Sequence, residues 1–496
     1  MVNTAFLVED FWGLDVLYKA PLVSHLDRRH KIFVASRVQP IIHLSKELRH
    51  FRGDTEFNEI QQGFKSLSKE STDFFTIYDS LYLKKKYSQE EIGGIQAWLG
   101  VSFKYLSSLD RRFYNRKKMV DVRDQNNIEN YFAGLAFFLK DFFIKNDIKI
   151  LIKTLEDTAF SVVAFYAAKK LQLEVLGIAS SRFPKKGLWF MRDFVDICVW
   201  NDDEVEWRQI EELYEEMKIV GVDRIAEKTA YYKIKNIPSR FKDAKTDILL
   251  YNSYVKYLEK QYSCERLIHE KHTIRSGIRS YAAGLIRSKT IKMLSRRPSS
   301  NVPYFLFPLH FLDDAQITFR EPFLNQFEQI KYISRALPYG YNLYVKPHPH
   351  FLGSDVFLRE IVNLAKLRNV MMIDPIVPIR PLIRSSKGVI TVNSTAGFEA
   401  LIYGVPVITF GHDFYCKNSL CRVIRDLNDL AQTLYDVINN VSLPKRDSVQ
   451  EYIKTVYANT VWLDPSYNFY STLSEADAEK IAYALNSLLL KIENNQ

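Results

Sequence analysis

The stretch Gly388-Val389-Ile390-Thr391-Val392-Asn393-Ser394-Thr395-Ala396-Gly397-Phe398-Glu399 reads as a strand over Gly388–Val392 that turns into a helix starting near Thr395. Working outward, strand Tyr304–Phe307 is followed by a helix over Phe323–Leu337, closed by Pro338-Tyr339-Gly340. Next come strand Asn342–Lys346, a helix near Asp355–Lys366, strand Val370–Ile373 and a short helix near Ile379–Ser385. Beyond the opening stretch, helix Ala396–Tyr403 leads to strand Val405–Phe410. Five strands joined by helices predict a doubly wound parallel sheet, with its ligand crevice beyond the carboxyl ends of the strands.

The first half repeats the pattern less regularly. Strand Thr4–Val8 ends at Glu9-Asp10, and the region from Ser45 to Asp147 reads as mainly helical, with an amphipathic stretch at Ile128–Ile144. Strand Ile148–Ile152, helix Thr158–Leu171 and strand Glu174–Ala179 make one βαβ unit. The acidic stretch Asp202–Lys218 and a basic segment after it look helical and separate the two halves, and Ser474–Ile492 reads as an amphipathic helix. The expected fold is therefore α/β with two Rossmann-like lobes. Residues 1–200 are expected to form an N-terminal lobe with a helical insertion, 201–300 a helical basic insert, 301–430 a C-terminal lobe, and 431–496 C-terminal helices.

Composition narrows the class. Of 496 residues, 47% are hydrophobic and 25% charged, which excludes a disordered, collagenous or small disulfide-stapled chain. The strongest apolar run, Phe132 to Leu139, stops at Lys140, and Met1-Val2-Asn3-Thr4-Ala5 has no basic leader, so a cytoplasmic protein is expected. Four cysteines make no disulfide framework, and the spacing of His412, Cys416 and Cys421 fits no zinc ribbon; no metal is expected.

The net charge of +10 is local: Asn252–Ser300 carries eleven basic residues against three acids. That segment is either a solvated helix face or a surface that attracts anionic lipid headgroups, which would hold the protein peripherally at the inner membrane, or a polyanionic substrate. No helix-turn-helix, zinc finger or RNP motif accompanies the charge, so nucleic acid is not an expected partner.

The candidate site residues fall at predicted strand ends. Lys346-Pro347-His348-Pro349-His350 puts a cation and two imidazoles on a proline-stiffened turn. Asn393, Ser394 and Thr395 open a helix whose N–H groups and dipole suit a phosphate, although Ser394 and Thr395 equally suit an N-cap. Gly397 would allow close approach of a ligand or the sheet. Glu399 does not complete a capping box with either hydroxyl; it could face the crevice and accept from ribose hydroxyls, or face solvent. His310, after Pro308-Leu309, ends a neighbouring strand, either packed or in contact with the same crevice.

These stretches, namely Tyr304–His310, Leu337-Pro338-x-Gly340, Leu343–Pro349, Val392–Leu401 and Gly404–Gly411 with Phe414-Tyr415, resemble the capsule polysaccharide biosynthesis family. That family includes Kdo transferases and is similar to GT-B glycosyltransferases that use CMP-sugars. A weaker echo runs through Asp110-Arg111-Arg112, Glu156-Asp157 and Ser180-Ser181-Arg182, while Leu312-Asp313-Asp314 departs from the family's Gln-Pro-Glu-like element.

The resemblance implies a GT-B-like fold, with His348 and the Ser394-Thr395 pair on the nucleotide phosphate. The nucleotide-sugar is then a substrate, so no cofactor is expected; the acceptor is a polysaccharide or its lipid-linked primer. A general base must take the acceptor proton, and acids at strand ends are the candidates, Glu156 and Asp157 first, then Glu9 and Asp10. Asp157 is also a suitable helix cap. Arg182, Lys185 and Lys186 would hold an anionic acceptor or the donor carboxylate, or form a solvated loop. No Asp-x-Asp follows a strand and no P-loop is present, which suggests a metal-independent, inverting transfer. Alternatives are a CDP-glycerol-type glycerophosphotransferase, a UDP-N-acetylglucosamine 2-epimerase, and a non-catalytic export or assembly component.

Overall fold

The computed structural model describes residues 2–8, 30–36, 73–76, 81–109, 125–154, 159–193, 195–222, 286–287, 289–298, 302–310, 325–347, 358–417, 419–441, 444–465 and 474–494. In the first half, strands β1 (Val2–Val8), β2 (His30–Ser36) and β3 (Asp73–Thr76) precede helices α1 (Leu81–Lys84), α2 (Gln89–Leu99), α3 (Phe103–Leu109) and α4 (Gln125–Lys145). Then come β4 (Ile150–Thr154), α5 (Ala159–Lys170), β5 (Glu174–Ser180), β6 (Gly187–Arg192), β7 (Asp196–Ile197) and α6 (Trp207–Val220). Strand β3 lies inside the region expected to be mainly helical. Its side-by-side pairing with β2, from Phe33↔Asp73 to Ser36↔Thr76, makes it a strand. Four residues with one long-range partner carry little local signal.

The N-terminal sheet runs β3-β2-β1-β4-β5-β6, with β1 to β5 parallel and β6 antiparallel. Helices α2 to α5 cover one of its faces. Along α4, Ile128, Phe132, Leu135, Ala136, Leu139 and Phe143 recur at helical spacing and are all buried. Helix α2 starts with a capping box, in which Glu91 N donates to Ser88 Oγ and Ser88 N to Glu91 Oε2, and it ends at Gly100 with φ +75°.

The second half continues with β8 (Tyr304–Pro308), α7 (Gln326–Ala336), β9 (Asn342–Lys346), α8 (Leu358–Ala365), β10 (Val370–Met372) and α9 (Ile379–Ser385). It then adds β11 (Gly388–Thr391), α10 (Thr395–Ile402), β12 (Val407–Thr409), β13 (Arg422–Val423) and α11 (Leu430–Ile438). This sheet is parallel throughout, in the order β10-β9-β8-β11-β12-β13. Its strands are almost wholly apolar and buried, as a sheet covered on both faces requires. Tyr304 and Tyr344 stack across β8 and β9 at 3.9 Å.

The chain then returns to the first lobe. Helix α12 (Arg446–Ala458) leads to β14 (Val461–Trp462), which adds antiparallel to β6, and helix α13 (Glu475–Asn494) packs against β14. The outgoing and returning chains meet at Asn459, whose Oδ1 accepts from Trp200 N at 2.7 Å and Asn201 N at 2.8 Å. The architecture is thus α/β with two lobes, each built on a largely parallel sheet.

Helix α6 is docked on the C-terminal lobe by its last turn. Those carbonyls have no partner within the helix. Arg384 Nη2 donates to Lys218 O at 2.7 Å, Tyr403 Oη donates to the same carbonyl at 3.1 Å, and Arg380 Nη2 donates to Val220 O. Two guanidinium groups also oppose the negative end of the helix dipole. A Cβ on Gly221, which has φ +82°, would overlap the Arg380 guanidinium. Arg380→Ala should lower unfolding free energy in urea by about 1–3 kcal/mol, because it removes the donor to the half-buried Val220 carbonyl and the cation facing the buried Glu399 carboxylate. Arg384→Ala, at an exposed position, should cost under about 1 kcal/mol.

Candidate active site

In the C-terminal sheet the order reverses between β8 and β11: β9 and β10 extend one way from β8, and β11, β12 and β13 the other. All six strands are parallel, so their carboxyl ends share one edge, and the point where the order reverses is where folds of this kind bind ligands. Lys346, Pro308–His310 and Asn393–Thr395 stand on that edge, at the ends of β9, β8 and β11. Parallel pairing sets Pro308 beside Lys346.

Each of these positions is held from behind. The Gln326 amide, at the start of α7, clamps His310: Oε1 accepts from His310 N at 3.0 Å and Nε2 donates to His310 O at 2.9 Å. Lys346 is buried, its Nζ donating to Pro375 O at 2.6 Å and Pro347 O at 3.3 Å. Burial pulls its pKa down to about 8, against the opposing pull of the Asp374 carboxylate.

The turn into α10 is braced as well. Ser394 N donates to Thr391 Oγ1 at 3.0 Å, Ala396 N donates to Ser394 Oγ at 3.2 Å, and Tyr415 Oη donates to Ser394 O at 2.7 Å. Ser394 is therefore the N-cap, as its residue type allowed, and it remains half-buried beside Thr395. Thr395 N–H occupies the first helical position, where no intrahelical acceptor exists. Asn393 is buried, with its amide against Gly411, where any Cβ would overlap it.

Two expectations are corrected. Gly397 makes room for neither ligand nor sheet: a Cβ there would lie 2.6 Å from Tyr415 Oη, so the glycine admits the tyrosine that braces Ser394. Glu399 neither faces the crevice nor solvent. It is buried, its Oε1 accepts from Val222 N at 3.3 Å, and it faces Arg380 Nε at 3.7 Å, so it belongs to the junction with α6.

In the N-terminal lobe the order reverses between β1 and β4. Glu9 and Asp10 follow β1, and Glu156 and Asp157 follow β4; these four residues lie outside the described residues, as does His348. Arg182, Lys185 and Lys186 sit in the 181–186 loop after β5, on the carboxyl edge, with Lys185 exposed and the other two half-buried. The sequence reading missed Lys153, which is 2% exposed near the end of β4 and donates to Ser161 O at 3.1 Å. A lysine closing an otherwise apolar strand was the available signal. Among the described residues, no group of three or more His, Cys, Asp or Glu side chains is placed to hold a metal ion.

The model of one protein family, described as "Capsule polysaccharide biosynthesis protein", matches residues 209–464, just over half of the chain. The Escherichia coli "Capsule polysaccharide export protein KpsS" is 30% identical over 119 residues, which cover 23% of this chain and 31% of that protein. The "Capsule polysaccharide modification protein LipB" of Neisseria meningitidis serogroup B is 26% identical over 120 residues, 23% of this chain and 29% of that protein. The matched stretch thus spans about a third of the length of these curated relatives. Among solved structures, the "beta Kdo 2,7 transferase" of Thermosulfurimonas dismutans KpsC aligns with a TM-score of 0.32 at 16% identity, covering 82% of this chain and 98% of that one.

Because the folded state holds the Lys346 pKa below its ordinary value of 10.5, the unfolded chain keeps that proton longer as pH rises. Stability relative to Lys346→Met should be flat below about pH 8, rise up to about pH 10.5 and then level, as read by denaturant unfolding.

Proposed function

Since this chain belongs to the capsule polysaccharide biosynthesis protein family, we propose that it is a GT-B-type glycosyltransferase of capsule assembly that takes a CMP-activated sugar of the Kdo class. The observation that carries the reading is the carboxyl edge of the C-terminal sheet, where a cation and a helix N-terminus flank the point at which strand order reverses. Lys346 and the first turn of α10, with the Ser394 and Thr395 hydroxyls, would meet the phosphate, and His348 would stand beside it. The N-terminal lobe would hold a polysaccharide or lipid-linked acceptor, with Arg182, Lys185 and Lys186 facing its anionic groups.

In the proposed step the acceptor hydroxyl attacks the anomeric carbon as the bond from that carbon to the phosphate oxygen breaks, with inversion. Glu156 or Asp157 takes the hydroxyl proton, and CMP leaves with the bonding electron pair. Lys346 and the oriented N–H groups offset the charge that grows on the leaving phosphate, so the step assigns no role to a metal. A second reading, a non-catalytic part in polysaccharide export or assembly, is favoured by the similarity to the Escherichia coli capsule polysaccharide export protein.

Calorimetry of the full chain with CMP, CDP, UDP and GDP tests the donor. CMP and CDP should bind, and Ser394→Ala with Thr395→Ala should weaken CMP by about tenfold. Unchanged affinity in that variant removes the phosphate from this turn. Glu156→Gln or Asp157→Asn should slow transfer while leaving CMP affinity intact; normal turnover in both moves the base to Glu9 or Asp10.

The basic insert supports a membrane-surface role. Ile291 is buried against the C-terminal lobe and Arg296 bridges to Ile373, while Ile286 and Met293 are exposed beside Lys289, Lys292, Arg296 and Arg297. Lys292→Glu with Arg297→Glu should reduce co-sedimentation with phosphatidylglycerol vesicles, most at low salt. Equal sedimentation of variant and parent would make this a solvated face.

A further inference from the structure

Beside the chain crossings at Asn459 lies a cavity of about 460 Å³ whose lining includes none of the residues assigned above to the candidate site. Its volume falls within the ~300–1,000 Å³ usual for small-molecule sites. It is built from both lobes: Arg192 at the end of β6 and Asp196–Val199 in and after β7 form one side, Lys417 of the second lobe another, and α12, Asn459 and α13 the rest.

The chemistry of the lining is divided. Ile197, Val456, Leu488 and Ile492 give it apolar walls, and Val199, 50% exposed, stands at the mouth. Three cations, Arg192, Lys417 and Lys491, face it against one carboxylate, Asp196. Two of these cations have exposed partners, while Arg192 Nε is held by Glu174 Oε1 at 2.5 Å. Lys491 pairs with Asp202, which is 78% exposed, and Lys417 spans the lobes to Asp196, itself 49% exposed. Such exposed pairs contribute little, so an incoming anion can take over a cation at small cost.

We propose that this cavity binds a small amphiphilic anion, a single negative group on a short apolar chain or ring. The apolar body occupies the space between α12, α13 and β7, and the anionic group sits beside Lys417 and Lys491. Asn459 lines the same cavity and accepts both Trp200 N and Asn201 N, so the occupant rests on the two strands of chain that join the lobes. An occupied site therefore braces the lobes at one angle. This site is separate from the proposed nucleotide edge and does not rest on the identity of the donor.

The test is titration of the full chain with 8-anilino-1-naphthalenesulfonate, followed by displacement with decanoate, decanol and decyltrimethylammonium. One saturable site is expected, emptied by decanoate at concentrations about tenfold below those needed with the other two. Val199→Trp at the half-exposed mouth and Ile492→Trp inside should each weaken the dye by about tenfold or more. Lys417→Gln with Lys491→Gln should weaken decanoate while leaving decanol unchanged. Thermal melts identify any variant that fails to fold, and Val199→Trp, at an exposed position, keeps the test independent of Ile492. Undiminished dye binding in a folded Val199→Trp, equal displacement by the cationic amphiphile, or absence of saturable binding overturns the proposal.

Discussion

A helix that ends against another lobe must find hydrogen-bond donors for its last carbonyls, and in this protein that demand fixes how the two halves meet. Lys218 O and Val220 O at the end of α6 are met by Arg384, Tyr403 and Arg380, all from the second lobe. Although α6 precedes the second sheet in sequence, it is held to that lobe. Arg380 in turn draws Glu399 away from the crevice, and Glu399 accepts from Val222 N just beyond the helix. The polar groups at this junction form one network, in which Lys218 O and Glu399 each have two partners.

With Glu399 committed to the junction, the chemistry at the second sheet's edge rests on fewer groups. Lys346 is desolvated and aimed at carbonyls, the Gln326 amide fixes His310, and Tyr415 crosses Gly397 to brace the turn at Ser394. Rigid support of this kind is what a site that stabilises a leaving phosphate needs, since preorganised donors do not reorient as charge develops. Both sheets reverse strand order at the same relative place, β1 beside β4 and β8 beside β11. Each lobe therefore has one such reversal point on its carboxyl edge.

Much of the second lobe was legible because its strands are short apolar runs punctuated by glycine and proline. Asn342–Lys346 and Ile379–Ser385 coincide with the elements found, and the strand at Gly388 and the helix after Ser394 agree to within one residue at either end. The less legible elements owe their form to distant partners. β14 is two residues that become a strand only against Leu188 and Gly187, and β13 is two residues held against Ile408 and Thr409.

At the site, residue types showed Lys346, Asn393 and Ser394 as candidates, since cations, amides and hydroxyls at strand ends stand out. Side-chain direction was not legible. Nothing local indicates that Glu399 turns to Arg380, or that Gly397 is small for the sake of Tyr415, eighteen residues on. Lys153 was passed over because the predicted strand stopped one residue short of it.

The most direct test of nucleotide binding is a crystal structure of the chain soaked with CMP. The reading predicts density for the phosphate within hydrogen-bond distance of Thr395 N and the Ser394 hydroxyl, on the edge where β9 ends at Lys346. A CMP phosphate bound in the first lobe, or on the face opposite the carboxyl edge of β8 and β11, would contradict it.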